Sequence, residues 1–536
     1  DKIDVEEAGL LKIDVLALGM LTAIRKTFTL LATHDGLDLE LATVPAEDPV
    51  TYKMIQRADT IGTFQIESRA QMSMLPRLRP ECFYDLVIEV AIMRPGPIQG
   101  KMVHPYLRRR HGLEPIEYPH PSTVPVLERT CGVPLLQEQV MELAVVAAGF
   151  TPGEADQLRR AMGSWRSQGK LRILRQKLLD GMRERGITDE FAARVVQQIE
   201  GFGDYGFPES HAASFAILAY VSAWLKRHHQ AAYLTALLNS QPMGFYAAHS
   251  LVADAQNHGV EVRSVHVQHS AWDCSLEPAR LGAIPRATEV SFTVEDQSRW
   301  SVRLGLRMVR GLAREVGERL AAARAERPFS GLRDLLLRVR PPRDVPLRLA
   351  AVGALQGLDG MNSRREAIWR VQGEGLVHDD LLQVARLMEP PVQLAPMDPI
   401  ATLSADYEGL GLSVDIHPIE PLRGALDQRG VTHSRGLARM GHGKAVSVAG
   451  LVIVRQGPST AKGMKFLTLE DEFGYSNLVV RPHIYERFRV EIRSASLLLA
   501  EGHVEREGRV IHVMTQRVVP LSLGDKDLHT HSRDFH

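Results

Sequence analysis

The sequence has 536 residues, 44% hydrophobic and 24% charged, and its 64 Lys and Arg balance 64 Asp and Glu. At roughly 150 residues per domain, three or four domains of ordinary globular composition are expected. Cys82, Cys131 and Cys274 lie far apart without CxxC spacing, which excludes a disulfide framework or zinc ribbon and suits a reducing, cytoplasmic compartment. No apolar run approaches the roughly 20 residues of a membrane span, so no membrane partner is expected. Net neutrality is silent about polyanions, but the charge is uneven. Residues 301–350 hold twelve Arg against five acidic residues, and residues 1–50 hold ten acidic residues against four basic ones. Such zoning suits metal ions in one region and phosphates in another. The chain opens Asp1-Lys2-Ile3-Asp4 rather than with Met, and reads as entering a domain already begun.

In chain order, Leu10–Leu16 is an apolar run with Lys12 and Asp14 on one face, the period of a strand, and Ala17–Leu31 follows at helical spacing. From about 50 to 240 the pattern is helical, with loops marked by Pro and Gly. Thr151-Pro152-Gly153-Glu154 has a capping Thr, Pro at the first helical position and Glu to return the capping bond. Residues 260–300 are mixed and strand-like in places. Two short helical units occupy about 301–385, and a Pro-rich connector follows. From Lys444 the period becomes two. Val446–Val454, Phe466–Glu470, Asn477–Val480, Ser496–Val504 and Val510–Val518 predict five strands, with a helical stretch near Tyr485–Val490 between the third and fourth. That arrangement suggests a small OB-type barrel, and the polar tail after Ser522 is expected to fray.

Five segments carry candidate chemistry. Asp14 in an apolar strand is costly to bury without a cation; it is either ion-paired with Lys12 at a strand end or a metal ligand with Lys12 near phosphate, and composition does not choose. Arg159 and Arg160 diverge by about 100 degrees on a helix, so both reach one anion only along the groove between them. The alternative is a solvated basic face. Gly201–Ala212 interleaves glycines with aromatics, so Tyr205 could stack on a base or pack a tight turn, and His211 could donate to phosphate or cap the next helix. Arg94, Lys101, Arg108, Arg109 and Arg110 flank a Pro-Gly-Pro turn and are backbone-phosphate candidates or a solvated charge run. Val309-Arg310-Gly311-Leu312-Ala313 resembles a helix-hairpin-helix turn whose N–H groups face phosphate, with Ala313 where a second glycine is usual and a degenerate second unit from Phe329 to Leu355.

The order of GLLKIDVLALGMLT, FQIESRAQM, MRPGPIQGKMV, LLQEQVM, LRRAMG and DYGFPESHAASFAILAYVSAWLK, running on through GLGLSVDIHPI, closely resembles the alpha subunit of bacterial DNA polymerase III, the C-family polymerases. The ending Ser532–His536 resembles the error-prone branch. The resemblance implies an α+β multidomain fold with the end of a palm (1–33), helical fingers (34–270), a connector (271–300), a tandem helix-hairpin-helix region (301–385), a Pro-rich connector with a small α/β segment (386–443), an OB-fold (444–522) and a tail (523–536). It implies template-directed two-metal nucleotidyl transfer with Mg²⁺, primer–template DNA and deoxynucleoside triphosphates. In that reading Asp14 is a catalytic carboxylate and metal ligand, Lys12 lies near the reacting phosphates, and Arg159, Arg160, Tyr205 and His211 surround the nucleotide. The location would be cytoplasmic and nucleoid-associated. The family's paired aspartates, in a Pro-Asp-x-Asp-x-Asp-Phe segment, are absent, so the chain is expected to be inactive alone. Residues 386–407 carry no glutamine-plus-aromatic clamp motif, which implies an accessory damage-response protein for clamp access. The competing reading is a non-catalytic DNA-binding scaffold of hairpin-helix and OB modules.

Overall fold

The computed structural model describes residues 8–10, 15–93, 97, 102–118, 120–162, 168–201, 208–245, 247–280, 299–374, 394–457, 461, 463–508, 510–523 and 533–535. A helical body comes first: α1 (Leu18–Asp35), α2 (Pro49–Gln56), α3 (Arg69–Leu78), α4 (Phe83–Ile92), α5 (Val103–Arg110), α6 (Gln137–Ala148), α7 (Pro152–Met162), α8 (Gln168–Glu184), α9 (Asp189–Gly201), α10 (Glu209–His228), α11 (Gln230–Leu238) and α12 (Ala248–Asn257). The sequence itself says which helices are central. α4 is apolar on nearly every face and buries Leu86 through Ile92, and α11 buries Ala231 through Leu238. α10, packed on α4, buries most residues from Phe215 to Lys226. The capping box at α7 forms as its sequence predicts. Thr151 N–H donates to Glu154 Oε2 at 3.0 Å, and Glu154 N–H donates to Thr151 Oγ1 at 3.3 Å.

The strand expected at Leu10–Leu16 does not extend to its described end. Val15, Leu16 and Ala17 are irregular, and α1 starts at Leu18 behind Ala17, whose φ is 63°. A strand needs a lateral partner for its N–H and C=O groups. Among the described residues nothing pairs there, and Leu10, Val15 and Leu16 stay exposed.

After α12 comes a small sheet ordered β1 (Val262–Arg263), β3 (Trp300–Arg303), β2 (Ser275–Pro278), parallel on one side and antiparallel on the other. Then follow α13 (Arg314–Glu326), α14 (Leu332–Val339), α15 (Asp344–Ala351), α16 (Arg364–Glu374) and α17 (Pro399–Gly409). Buried side chains from Met20 to Val431 join in one continuous core.

The barrel forms as the alternating pattern requires, from β4 (Ala445–Gln456), β5 (Lys465–Asp471), β6 (Gly474–Val480), β7 (Leu497–Glu507) and β8 (Val510–Pro520). Two short helices, Pro482–Arg487 and Arg489–Ser494, lie between β6 and β7. The order β5-β6-β8-β7-β4, with β4 also pairing β5, closes the sheet into an OB-type barrel. Long β4 and β7 bend at irregularities near Val452–Val454 and Glu501–Gly502. At Gly502 a Cβ would stand 2.1 Å from the Met514 carbonyl, so only glycine permits that approach.

Both faces of β4 and β7 are buried. Val446, Val448, Val452, Leu498, Ala500 and Val504 fill the barrel, while Ala449, Leu451, Ile453, Leu497 and Leu499 join the main core. That double burial explains the nearly unbroken apolar run Val446–Val454. The tail differs from expectation: β9 (Arg533–Phe535) pairs in parallel with Val454–Gln456, giving that end of β4 a second neighbour.

Candidate functional site

Arg159 and Arg160 sit in the last turn of α7, whose amphipathic pattern buries Ala155 and Leu158 and turns the arginines outward. Both converge on Asp156. Arg159 Nη2 donates to Asp156 Oδ1 at 2.8 Å, and Arg160 Nε stands 2.8 Å from Oδ2. The Arg159 hydrogen bond, opposed by burial and helped by the nearby Arg160 charge, holds the Asp156 carboxyl below its usual range. Two guanidiniums therefore meet one half-exposed carboxylate of their own helix, three and four residues back. The next helix, α8, adds Lys177, paired with Glu154.

His211 is the third residue of α10 and not its cap; the cap position is Pro208. Its ring lies 4.1 Å, centroid to centroid, from that of Phe215 one turn on. Glu209, at the head of the same helix, accepts from Tyr84 Oη at 2.9 Å and ties α10 to α4. Asp14, Lys12, Arg94, Lys101 and Tyr205 lie outside the described residues.

The run Arg108–Arg110 divides by face. Arg108 is exposed at the end of α5, 3.3 Å from Glu114. Arg109 is buried and donates through Nη1 to the carbonyls of Cys131 (3.2 Å) and Gly132 (3.1 Å). Arg110 grips Asp85 through both Nη atoms (2.5 and 2.7 Å) and bonds the Leu78 carbonyl at 3.0 Å. Arg109 and Arg110 are thus internal struts, a correction to their reading as surface phosphate contacts: both are turned onto orphan carbonyls and a buried carboxylate that need donors.

The hairpin is also engaged internally. Gly311 has φ 76°, a left-handed turn that requires glycine, and the Arg348 side chain fills the space a Cβ would occupy. Arg310 donates its N–H to Gly409 O at 2.8 Å, and its side chain lies against Gly411. The hairpin therefore seats against the end of α17.

Sequence reasoning missed a buried charge cluster behind the α10 surface. Lys226 Nζ meets Asp59 Oδ1 at 2.8 Å and Asp254 Oδ2 at 3.0 Å, and His258 Nε2 lies 2.6 Å from Asp59 Oδ2. Asp59, Asp254 and His258 alone would resemble metal ligands. The Lys226 ammonium already lies against both carboxylates, so this set does not fit a divalent ion. Burial alone would lower the imidazole pKa, but Asp59 and Asp254 outweigh it and hold His258 up at about 9. Its legible signal was a lysine ending the apolar run Ala216–Leu225. No helix among the described residues is long and apolar enough to cross a membrane.

Comparison with known proteins gives this geometry its context. The finger domain of the bacterial DNA polymerase III alpha subunit matches residues 20–186, and a helix-hairpin-helix motif matches residues 259–367. An error-prone DNA polymerase of Alkalilimnicola ehrlichii is 53% identical across 100% of this chain and 50% of its own length. Error-prone DNA polymerases of Anaeromyxobacter dehalogenans (52% identical, 47% of that protein) and Pseudomonas aeruginosa (51%, 50% of that protein) also align over the whole chain. The chain spans about half the length of the curated relatives it matches. With finger-domain, hairpin-helix and whole-chain similarity in agreement, the chain belongs to the bacterial DNA polymerase III alpha-subunit family, in its error-prone branch.

Proposed function

We propose that this chain forms the finger, hairpin-helix and barrel portion of an error-prone DNA polymerase that extends a primer on damaged template. The observation that carries the reading is the convergence of Arg159 and Arg160 on one anion, within the stretch that matches the family's finger domain. In the reaction the primer 3′-hydroxyl oxygen bonds the α-phosphorus of a deoxynucleoside triphosphate, and the bond to the bridging oxygen of pyrophosphate breaks. The triphosphate takes the place of the Asp156 carboxylate between the arginines, whose planar forks match phosphate oxygens. Tyr205 and His211 belong at the nucleotide's edge in this reading. Arg94, Lys101 and Arg108 follow the DNA backbone, and Arg310 with Gly311 positions the hairpin beside it.

Asp14, with Lys12 near it, is one carboxylate of a divalent-metal site, Mg²⁺ by the family's chemistry. One carboxylate cannot hold two ions, so nucleotidyl transfer needs further ligands, and the chain by itself is expected not to extend a primer. Clamp access through an accessory damage-response protein is part of the same proposal.

The test is nucleotide binding and primer extension with a protein that joins this chain to a palm carrying the aspartate pair. Arg159→Ala combined with Arg160→Ala is expected to raise the KM for nucleotide or lower kcat, with a combined loss in kcat/KM of about 100-fold or more. Unchanged kinetics would remove the triphosphate role. Asp14→Ala should abolish extension, and undiminished incorporation would take Asp14 out of the site.

A further inference from the structure

The segment Phe64–Met72 is one of the motifs in which the sequence resembles the family, yet none of its residues belongs to the nucleotide or phosphate sites proposed above. Its side chains act as ties. Glu67 accepts from Gly62 N–H at 3.0 Å and from Phe245 N–H at 2.9 Å, joining two loops. Ser68 and Gln71 form the capping box that starts α3. Arg69, the first residue of α3, is buried against the barrel instead.

Arg69 Nη1 donates to Leu478 O at 2.7 Å and to Leu467 O at 3.3 Å, register partners on β6 and β5. Its guanidinium carbon stands 4.8 Å from the centroid of the Phe466 ring on β5, and Nη2 lies 3.5 Å from His512 Nδ1 on β8. One side chain thus touches three barrel strands. A planar fork that bonds and stacks at once is a property of Arg and not of Lys. Other ties run in parallel. Arg77, near the end of α3, pairs with Glu507 on β7, and Ser250 Oγ of α12 donates to buried Glu470 of β5 at 2.7 Å. The outer apolar face of β4 and β7 belongs to the main core.

We propose that Arg69 is a positioning residue that clamps the barrel to the helical body, so that single-stranded template on the barrel is presented in a fixed relation to the finger site. The presentation half rests on the function proposed above, with the OB-type barrel taken as the module that meets the single-stranded part of the template; the clamp half does not. Two measurements on the present chain separate them. Amide hydrogen exchange over residues 465–480 reads the clamp. The gain in affinity that a long single-stranded 5′ overhang gives over blunt duplex, followed by fluorescence anisotropy, reads the presentation.

Arg69→Ala is expected to speed exchange in β5 and β6 by about tenfold and to lower the overhang gain while duplex affinity holds. Arg69→Lys should restore both only in part. Native exchange in Arg69→Ala overturns the clamp, and fast exchange with a full overhang gain overturns the positioning role. A wild-type chain with no overhang gain sinks the template reading alone, and exchange then decides the clamp. Should Arg69→Ala fail to fold, Phe466→Leu removes only the ring beneath the guanidinium. Faster exchange confined to β5 and β6 then supports the clamp, and unchanged exchange overturns it.

Discussion

Neighbouring arginines of identical chemistry end in different roles because a helix turns each residue onto its own face. Along α5, Arg108 is exposed, whereas Arg109 and Arg110 serve buried carbonyls and Asp85. Arg108→Ala is therefore expected to weaken DNA binding across all sequences and to reduce the salt slope by about one. Arg110→Ala should instead unfold the chain more readily, by about 3 kcal/mol, because it leaves Asp85 buried without its cation. Binding titrations at several salt concentrations and urea midpoints separate the two; an Arg110→Ala chain of native stability with lost binding would reverse the assignment. The sequence shows three positive charges in a row and nothing of what packs beneath them, which is why all three read alike as phosphate candidates although only Arg108 is left exposed. Glu89 is the opposite case, an ionisable group whose burial cost is visible. It is fully buried in α4, neither carboxylate oxygen has a hydrogen-bond partner among the described residues, and burial raises its pKa well above the usual range. Glu89→Leu, close in volume, should raise stability by about 1–3 kcal/mol, since it removes an unsatisfied polar group. A lower urea midpoint would mean that the carboxyl has a partner.

Elements were legible where one rule of periodicity governed them. All five barrel strands fall within a few residues of the alternating runs, because a closed barrel has one inside and the pattern must obey it. The capping box of α7 was equally plain. The described residues just before α1, Val15–Ala17, were not, because strand pairing needs a partner and sequence period does not supply one. Links between helices were also hidden, and the cluster on α10 and α12 is the clearest. Lys226 joins Asp59 to Asp254, so Lys226→Met should cost about 3–5 kcal/mol by leaving two buried carboxylates with His258 alone. The same cluster gives a pH signature. The His258 pKa is raised from 6.5 to about 9, so its contribution to stability is fully present below pH 6.5 and is lost as pH rises through 9. Urea midpoints taken across that window should fall in the wild type and stay flatter in His258→Gln. An equal fall in both would show that the imidazole does not carry the charge.

On the scale of the whole molecule, the interface between barrel and helical body is where distant parts of the sequence meet. It was the least legible feature, since Arg69, Ser250, His417 and Glu470 come from four separate segments. Glu470 lies near the end of β5, fully buried on the side facing the helical body, with Ser250 Oγ at 2.7 Å, His417 Nε2 at 3.8 Å, and Asp471 and Asp254 nearby. Burial pushes its pKa up from 4.5 to about 7; the Ser250 hydrogen bond opposes this, and the Asp471 and Asp254 charges add to it. A carboxyl whose folded pKa is raised keeps its proton in the folded state after the unfolded chain has lost it. The stability it leaves is therefore greatest below pH 4.5 and falls as pH rises to 7, by an amount on the order of 3 kcal/mol, with no further change above that. Glu470→Gln keeps an acceptor for Ser250 and removes the titration. It should abolish the fall between pH 5 and 7 and leave the chain more stable than wild type at pH 8, with the difference concentrated in slower amide exchange along β5. If the variant is less stable at pH 8, the ionised carboxylate is being held by a cation at this junction, and the barrel is seated by charge pairing instead of by a protonated acid.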